Sequence, residues 1–140
     1  MHLTVHIDGG SRGNPGPAAA GIVLSADDGT VLHEAGIYLG KATNNVAEYH
    51  GLIAALQAAA KLGAKQVDLF SDSELMVRQM NGQYRVKDAG LRPLFEQASA
   101  LSSAFKRCTL QHVPRERNTQ ADELVNRALN LKRNVGDAAE

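Results

Sequence analysis

Ile7-Asp8-Gly9-Gly10-Ser11-Arg12-Gly13-Asn14-Pro15-Gly16-Pro17 is the stretch on which the reading of this chain turns. Leu3, Val5 and Ile7 alternate with Thr4 and His6, the period of a strand with one face more buried than the other. The strand, His2 to Asp8, then gives way to four glycines and two prolines, which break regular structure and predict a loop. Asp8 stands at the junction. A carboxylate at a strand end, beside backbone that almost nothing crowds, is a good seat for a cation. The remaining chain decides whether other carboxylates join it.

Working outward, Ala18 to Ser25 reads as a second strand. Ala26-Asp27-Asp28-Gly29 is a hairpin turn, and Thr30 to Leu39 is a third strand, so the first three strands form an antiparallel meander. After a loop over Gly40 to Asn45, the alanines and leucines of Val46 to Leu62 predict a helix closed by Gly63. Gln66 to Ser71 is a short buried strand that stops at Asp72. A helical stretch follows to about Met80, and Gln83 to Gly90 is a connector. Leu91, Leu94, Phe95, Ala98 and Leu101 have helical spacing. Arg107 to Val113 is a last strand, Pro114 to Asn118 a loop, and Thr119 to about Lys132 a final helix. Residues 1–132 make one domain, and 133–140 are expected to be a disordered tail. The order β-β-β-α-β-α-α-β-α predicts an α/β protein. Its five-stranded mixed sheet is antiparallel on one side and parallel on the other, with helices on both faces.

The bulk properties exclude several classes. With 140 residues, 44% hydrophobic and 21% charged, the chain is an ordinary globular domain able to bury a core. No apolar run is long enough to span a bilayer, so no membrane partner is expected. The single cysteine, Cys108, cannot close an internal disulfide and reads as a buried filler in the last strand; a cytoplasmic location is expected. Formal net charge is zero, yet up to Ala60 the only basic side chains are Arg12 and Lys41. The second half is therefore mildly basic.

Four acids carry the chemical argument, and each has an ordinary alternative. Asp8 could be a turn residue. Glu48 could complete a capping box begun by Asn45, and Asp122 one begun by Thr119. Asp72 could be a helix N-cap. Direction argues against these alternatives. Glu48 shares a helix face with Leu52, Ala55 and Ala59, and Asp122 shares one with Val125 and Leu129, so both acids head faces that should meet the sheet. Asp8 and Asp72 end strands that could be parallel neighbours, and open parallel sheets gather functional groups at such ends. Four converging carboxylates repel one another unless cations join them. An all-oxygen set suits Mg²⁺ or Mn²⁺, and two such ions can drive phosphoryl transfer.

The motifs Asp8-Gly9-Gly10-Ser11-x-Gly13-Asn14-Pro15-Gly16, Thr43-Asn44-Asn45-x-Ala47-Glu48, Ser71-Asp72-Ser73 and Asn118-x-x-Ala121-Asp122-x-Leu124 resemble those of ribonuclease H of type I. The resemblance runs from about residue 3 to residue 131. It implies the ribonuclease H-like fold and a monomeric endonuclease. That enzyme would cut the RNA strand of an RNA–DNA hybrid with two Mg²⁺ ions, Mn²⁺ able to substitute, and leave 5′-phosphate and 3′-hydroxyl ends. It further implies that Asp8, Glu48, Asp72 and Asp122 hold the metals. The backbone at Gly9 and Gly10, with Glu48 and the Asn44 and Asn45 amides, would then meet the minor groove, where a 2′-hydroxyl marks RNA, Asn14 and Thr43 the hybrid backbone, and Ser11 would also touch substrate.

Three departures from the family pattern stand out. The basic protrusion of the best-known bacterial members is replaced by the short stretch Asn81 to Gly90. With net charge zero and no protrusion, modest, salt-sensitive hybrid binding is expected through Arg78, Arg85 and Lys87, and the shortened loop Pro114 to Asn118 places the chain in a short-loop branch. Glu74 stands where the family often has Gln. The loop histidine ahead of the last acid has two candidates, Arg115, which is favoured, and His112. Arginine in that place would act electrostatically, since it does not give up its proton at neutral pH.

Overall fold

A computed structural model describes residues 1–139. Six strands form one sheet in the order β5-β4-β1-β2-β3-β6. They are β1 (His2–Ser11), β2 (Gly16–Ser25), β3 (Val31–Ala42), β4 (Gln66–Ser71), β5 (Arg107–His112) and β6 (Val135–Gly136). Four helices complete the chain: α1 (Asn44–Lys61), α2 (Glu74–Met80), α3 (Arg92–Ser103) and α4 (Thr119–Leu131). The meander β1–β2–β3 is antiparallel, while β4 joins β1, and β5 joins β4, in parallel. The expected mixed sheet is therefore present, with β1 at its middle.

Alternation along the strands divides the core in two. Leu3, Val5, Ile7, Ile22 and Leu24 pack with Tyr49, Leu52 and Leu56 of α1 on one face. Ala19 and Val23 pack with Leu124, Val125, Ala128 and Leu129 of α4 on the other. β2 is buried along nearly all its length because both faces are covered. Truncating a fully enclosed side chain such as Leu52 or Leu56 to alanine would cost about 2–5 kcal/mol.

Two expectations need correction. The sheet has six strands, not five, and the segment from residue 133 is not simply frayed. Val135 and Gly136 pair with Gly36 and Ala35 of β3. Val135 is buried against α4, and Asp137 accepts a hydrogen bond from the Glu34 amide at 2.8 Å. A two-residue strand has no periodicity to read, and its stability comes from the groove between β3 and α4. Glu140, the last residue of the expected tail, lies outside the described residues.

The glycine-rich stretch also differs from expectation. β1 continues through Gly9, Gly10 and Ser11, which pair with Ala20, Ala19 and Ala18. The loop proper is residues 12–15, closed by a cis Asn14–Pro15 bond. Between α2 and α3 no helix stands among residues 81–91, only turns and a connector. Among the described residues no helix is long and apolar enough to cross a membrane.

Candidate active site

Parallel pairing sets the first two acids side by side. Ile7 of β1 is in register with Ser71 of β4, so Asp8 and Asp72 follow at neighbouring strand ends. The other two acids arrive on helices, and glycines let them come close. A Cβ on Gly9 would lie 2.4 Å from the Glu48 nitrogen and 2.5 Å from the Ala47 carbonyl carbon. The first turns of α1 thus rest directly on β1, one residue past Asp8, and only glycine fits there. On the other face Gly21, the β2 partner of Asp8, would place a Cβ 2.2 Å from the Ala121 oxygen. α4 can touch the sheet there only because that side chain is missing, and Asp122 comes next in its sequence.

Helix capping removes the ordinary explanations of the acids. α1 is capped by Thr43, whose hydroxyl accepts from the Val46 amide at 3.2 Å; Asn45 caps nothing and Glu48 completes no capping box. α2 is capped by Ser73, not Asp72, with its hydroxyl accepting from the Met76 amide at 3.3 Å. Asn118, not Thr119, is the N-cap position of α4. Its buried side-chain amide donates to the Ile7 carbonyl at 2.8 Å, tying the start of α4 to the residue before Asp8. Asp8 itself lies within β1, not in a turn.

Asp8, Glu48, Asp72 and Asp122 all line one cleft of about 490 Å³. Burial, and then the charge of Asp72, push the Asp8 carboxyl up to about 8, against an opposing hydrogen bond from the Gly9 amide and with a further push from Asp122. Burial pushes Glu48 up to about 7, with Asp72 adding to it and the Ser73 hydroxyl opposing. One oxygen of Glu48, Oε2, is buried without a hydrogen-bond partner. Such a set of acids is held together by the fold against its own electrostatics.

Gly9, Gly10, Ser11, Asn44 and Arg115 share the walls of this cleft. Arg115 sits on a 3₁₀ turn, Arg115–Arg117, between β5 and α4. His112 ends β5 and lines a separate depression with Glu74, Val77, Arg78 and Gln83. Of the two loop candidates, the fold brings Arg115 to the acids and leaves His112 outside the cleft. Asn14, Thr43 and Asn45 do not line it either. Asn14 accepts from the Asn44 amide at 3.0 Å, and Asn44 in turn accepts from the Ser11 amide at 2.7 Å, so these two asparagines buckle the loop onto α1. Glu74 pairs with Arg78 at 2.9 Å, one helical turn on.

Arg12 and Asn126 also line the cleft, although the sequence reading singled out neither as a site residue. Asn126 was within reach of helical spacing, four residues after Asp122, and its amide lies 3.4 Å from the Asp122 carboxylate. Arg12 had no such signal, since a loop leaves side-chain direction open.

Comparison with known proteins finds relatives along nearly the whole chain. Residues 6–128 match the family model described as reverse transcriptase-like. A bifunctional protein of Mycobacterium tuberculosis, Rv2228c, is 52% identical over 130 residues, 92% of this chain and 36% of that protein. The chain thus spans about a third of that relative's length. The solved N-terminal RNase H domain of Rv2228c superposes with a TM-score of 0.91 at 50% identity, covering 94% of this chain and 95% of that one. Ribonuclease HI of Halobacterium salinarum is 47% identical over 124 residues, 89% of this chain and 62% of the relative. LC11-RNase H1, solved in complex with an RNA/DNA hybrid, has a TM-score of 0.87 at 42% identity over 93% of this chain and 98% of that one.

Proposed function

The chain belongs to the ribonuclease H type I family, and on that premise we propose that it hydrolyses the RNA strand of RNA–DNA hybrids with two divalent ions. The observation that carries this reading is the convergence of Asp8, Glu48, Asp72 and Asp122 on one cleft, with Asp8 and Glu48 raised by burial and then by the charge of Asp72.

The site suits hard cations in its chemistry. Every acid offers oxygen, Glu48 Oε2 has no other partner, and a positive ion relieves the repulsion that lifts Asp8. Among the described residues no three His, Cys, Asp or Glu side chains are gathered closely enough to hold one ion as they stand, so binding would draw the acids inward. Asp8, Glu48, Asp72 and Asp122 would hold the ions, Mg²⁺ or Mn²⁺. When bound, the ions supply the charge that activates a water and stabilises the leaving 3′-oxygen, leaving 5′-phosphate and 3′-hydroxyl ends.

The chain's own groups do the rest. The backbone at Gly9 and Gly10, unobstructed by side chains, can lie against ribose, where 2′-hydroxyls separate RNA from DNA. Asn44 adds an amide on the same wall, and Arg115 supplies fixed positive charge toward the phosphate. Arg85 and Lys87 would meet flanking backbone of the hybrid, with Arg78, paired to Glu74, beside them, where a short connector stands in place of a basic protrusion. The protein would act as a cytoplasmic monomer.

The test is cleavage of labelled RNA–DNA hybrid, double-stranded RNA and double-stranded DNA in Mg²⁺ or Mn²⁺. Wild type should cut the hybrid's RNA strand, and Asp8→Asn should lose several kcal/mol of transition-state stabilisation, about a thousandfold in rate. Equal cutting of double-stranded DNA would overturn the reading. Arg115→Ala should slow turnover more than His112→Ala.

A further inference from the structure

A cleft walled by four acids repels the polyanion it is meant to hold, so cations on its rim decide how the chain is seated. Two arginines share the cleft, Arg115 and Arg12. Arg12 follows β1 directly, in the short loop between β1 and β2. The loop holds its backbone firmly. The Arg12 amide donates to the Pro17 carbonyl at 2.8 Å. The Ser11 hydroxyl lies within hydrogen-bond distance of both the Gly13 carbonyl and the Ala42 carbonyl at the end of β3, either of which can accept its proton. Gly16 packs so tightly under the loop that a Cβ there would lie 2.1 Å from the Arg12 oxygen.

The Arg12 side chain is held as well. Its Nη2 donates to the Asn130 Oδ1 of α4 at 2.7 Å, a contact between residues 118 positions apart. That partner is neutral, and no carboxylate lies within ion-pair distance of Arg12 among the described residues. Arg78, by contrast, spends its charge on Glu74. Arg12 is thus an oriented guanidinium with an uncompensated charge and free N–H groups, on the same cleft as the acids. A planar donor set of this kind matches a phosphate group. Holding it in advance reduces the entropy lost on binding.

We propose that Arg12, oriented by Asn130, forms a phosphate-binding subsite for the strand being cut. It would grip a phosphodiester beside the scissile one, on the α4 side of the cleft. This rests on the reading of the cleft as a hybrid-cleaving site. Arg12 would be a substrate-binding residue and Asn130 a positioning residue.

The experiment compares wild type, Arg12→Ala, Arg12→Lys and Asn130→Ala on RNA–DNA hybrid across a salt series. Arg12→Ala should lower kcat/KM about tenfold at low salt, chiefly through KM, as expected for a lost hydrogen bond to a charged group. It should also make the slope of log(kcat/KM) against log[salt] shallower by about 0.9, the release of one counterion. Arg12→Lys should keep the salt slope and recover part of KM. Asn130→Ala should raise KM less than Arg12→Ala and keep the slope, which a merely structural contact would not do. Thermal midpoints report whether each variant is folded.

Single methylphosphonate linkages, placed one at a time in the RNA strand and then in the DNA strand, locate the contact. One neutral linkage near the cut in the RNA strand should weaken wild type and leave Arg12→Ala unaffected. An unchanged salt slope in folded Arg12→Ala would overturn the subsite, as would sensitivity confined to the DNA strand. Failure of wild type to cut hybrid at all would instead overturn the functional reading beneath it.

Discussion

Asp8 and Asp68 occupy neighbouring central strands, and the fold treats them in opposite ways. Asp68, on β4, is in register with Thr4 of β1, at the far end of the sheet from the cleft. It accepts from the Thr109 hydroxyl at 2.6 Å and lies 2.7 Å from His2 Nε2, while His2 Nδ1 lies 2.5 Å from Asp27. Those hydrogen bonds, from Thr109 and then from His2, hold the Asp68 carboxyl below its usual range, and the same contacts raise His2. Asp8 is buried and has acids for neighbours, and for both reasons, burial first, its carboxyl rises. A carboxylate given a hydroxyl and an imidazole is a structural clamp. A carboxylate given other carboxylates is a cost to the fold that only a ligand repays.

The largest expected effect breaks the two ends apart. Asp8→Asn should cost about a thousandfold in activity yet raise stability at neutral pH by about 1–3 kcal/mol, because it removes a carboxyl that must take up a proton to be buried beside other acids. The sign follows from proton binding. The Asp8 pKa climbs from an ordinary 3.8 to about 8, so between those values the fold holds a proton that the unfolded chain has released. Stability of metal-free wild type should therefore fall as pH rises across that window, and Asp8→Asn should flatten the slope. Thermal melts from pH 4 to 9 measure both. A less stable Asp8→Asn would contradict the comparison.

A smaller effect concerns ion binding. Cations need the deprotonated acids, and Glu48 stands near 7 as Asp8 stands near 8. Mg²⁺ affinity should rise from pH 6 to 8, by about tenfold per pH unit for each proton displaced. Calorimetric titration in buffers of different ionisation enthalpy counts the protons released. Asp8→Asn should release fewer.

The smallest effect lies at the other end. Asp68→Asn should reduce stability by less than about 1 kcal/mol, since the clamp is partly exposed to solvent, and leave kcat/KM unchanged. Asp68 contributes above its ordinary 3.8 and loses this as pH falls; His2 contributes below its ordinary 6.5 and loses this as pH rises through its raised value. The difference from wild type should peak at about pH 5–6. An activity loss like that of Asp8→Asn would show that the ends are not independent.

Legibility differed along the chain for identifiable reasons. β4, read as Gln66 to Ser71, has those bounds in the structure. A short apolar run between polar flanks is a local signal. Gly9 to Ser11 read as a loop because glycine lacks strand propensity, yet Ala18 to Ala20 supply cross-strand partners that complete β1. Thr43 rather than Asn45 caps α1, a shift that no spacing rule could decide. Val135 and Gly136 read as tail because their partner, β3, is about a hundred residues away.

The glycine at position 9 carried a second meaning that the sequence could not show. Its missing side chain was read as letting the protein backbone meet the minor groove of a hybrid. The structure adds that the same absence admits the backbone of α1 itself, at 2.4 Å from where a Cβ would stand. A substitution there would push Glu48 away from Asp8.

By itself, then, the sequence determined the mixed α/β order and the family, and singled out the four acids that share the cleft, because strand and helix periods and motif spacing are properties of neighbouring residues. Tertiary structure alone decided which polar groups share a wall: Arg115 and Arg12 on the cleft, His112 outside it, Asp68 clamped and Asp8 set among other acids. Those outcomes depend on contacts between residues far apart in the chain, and on helices closing over Gly9 and Gly21 from opposite faces, which no local pattern encodes.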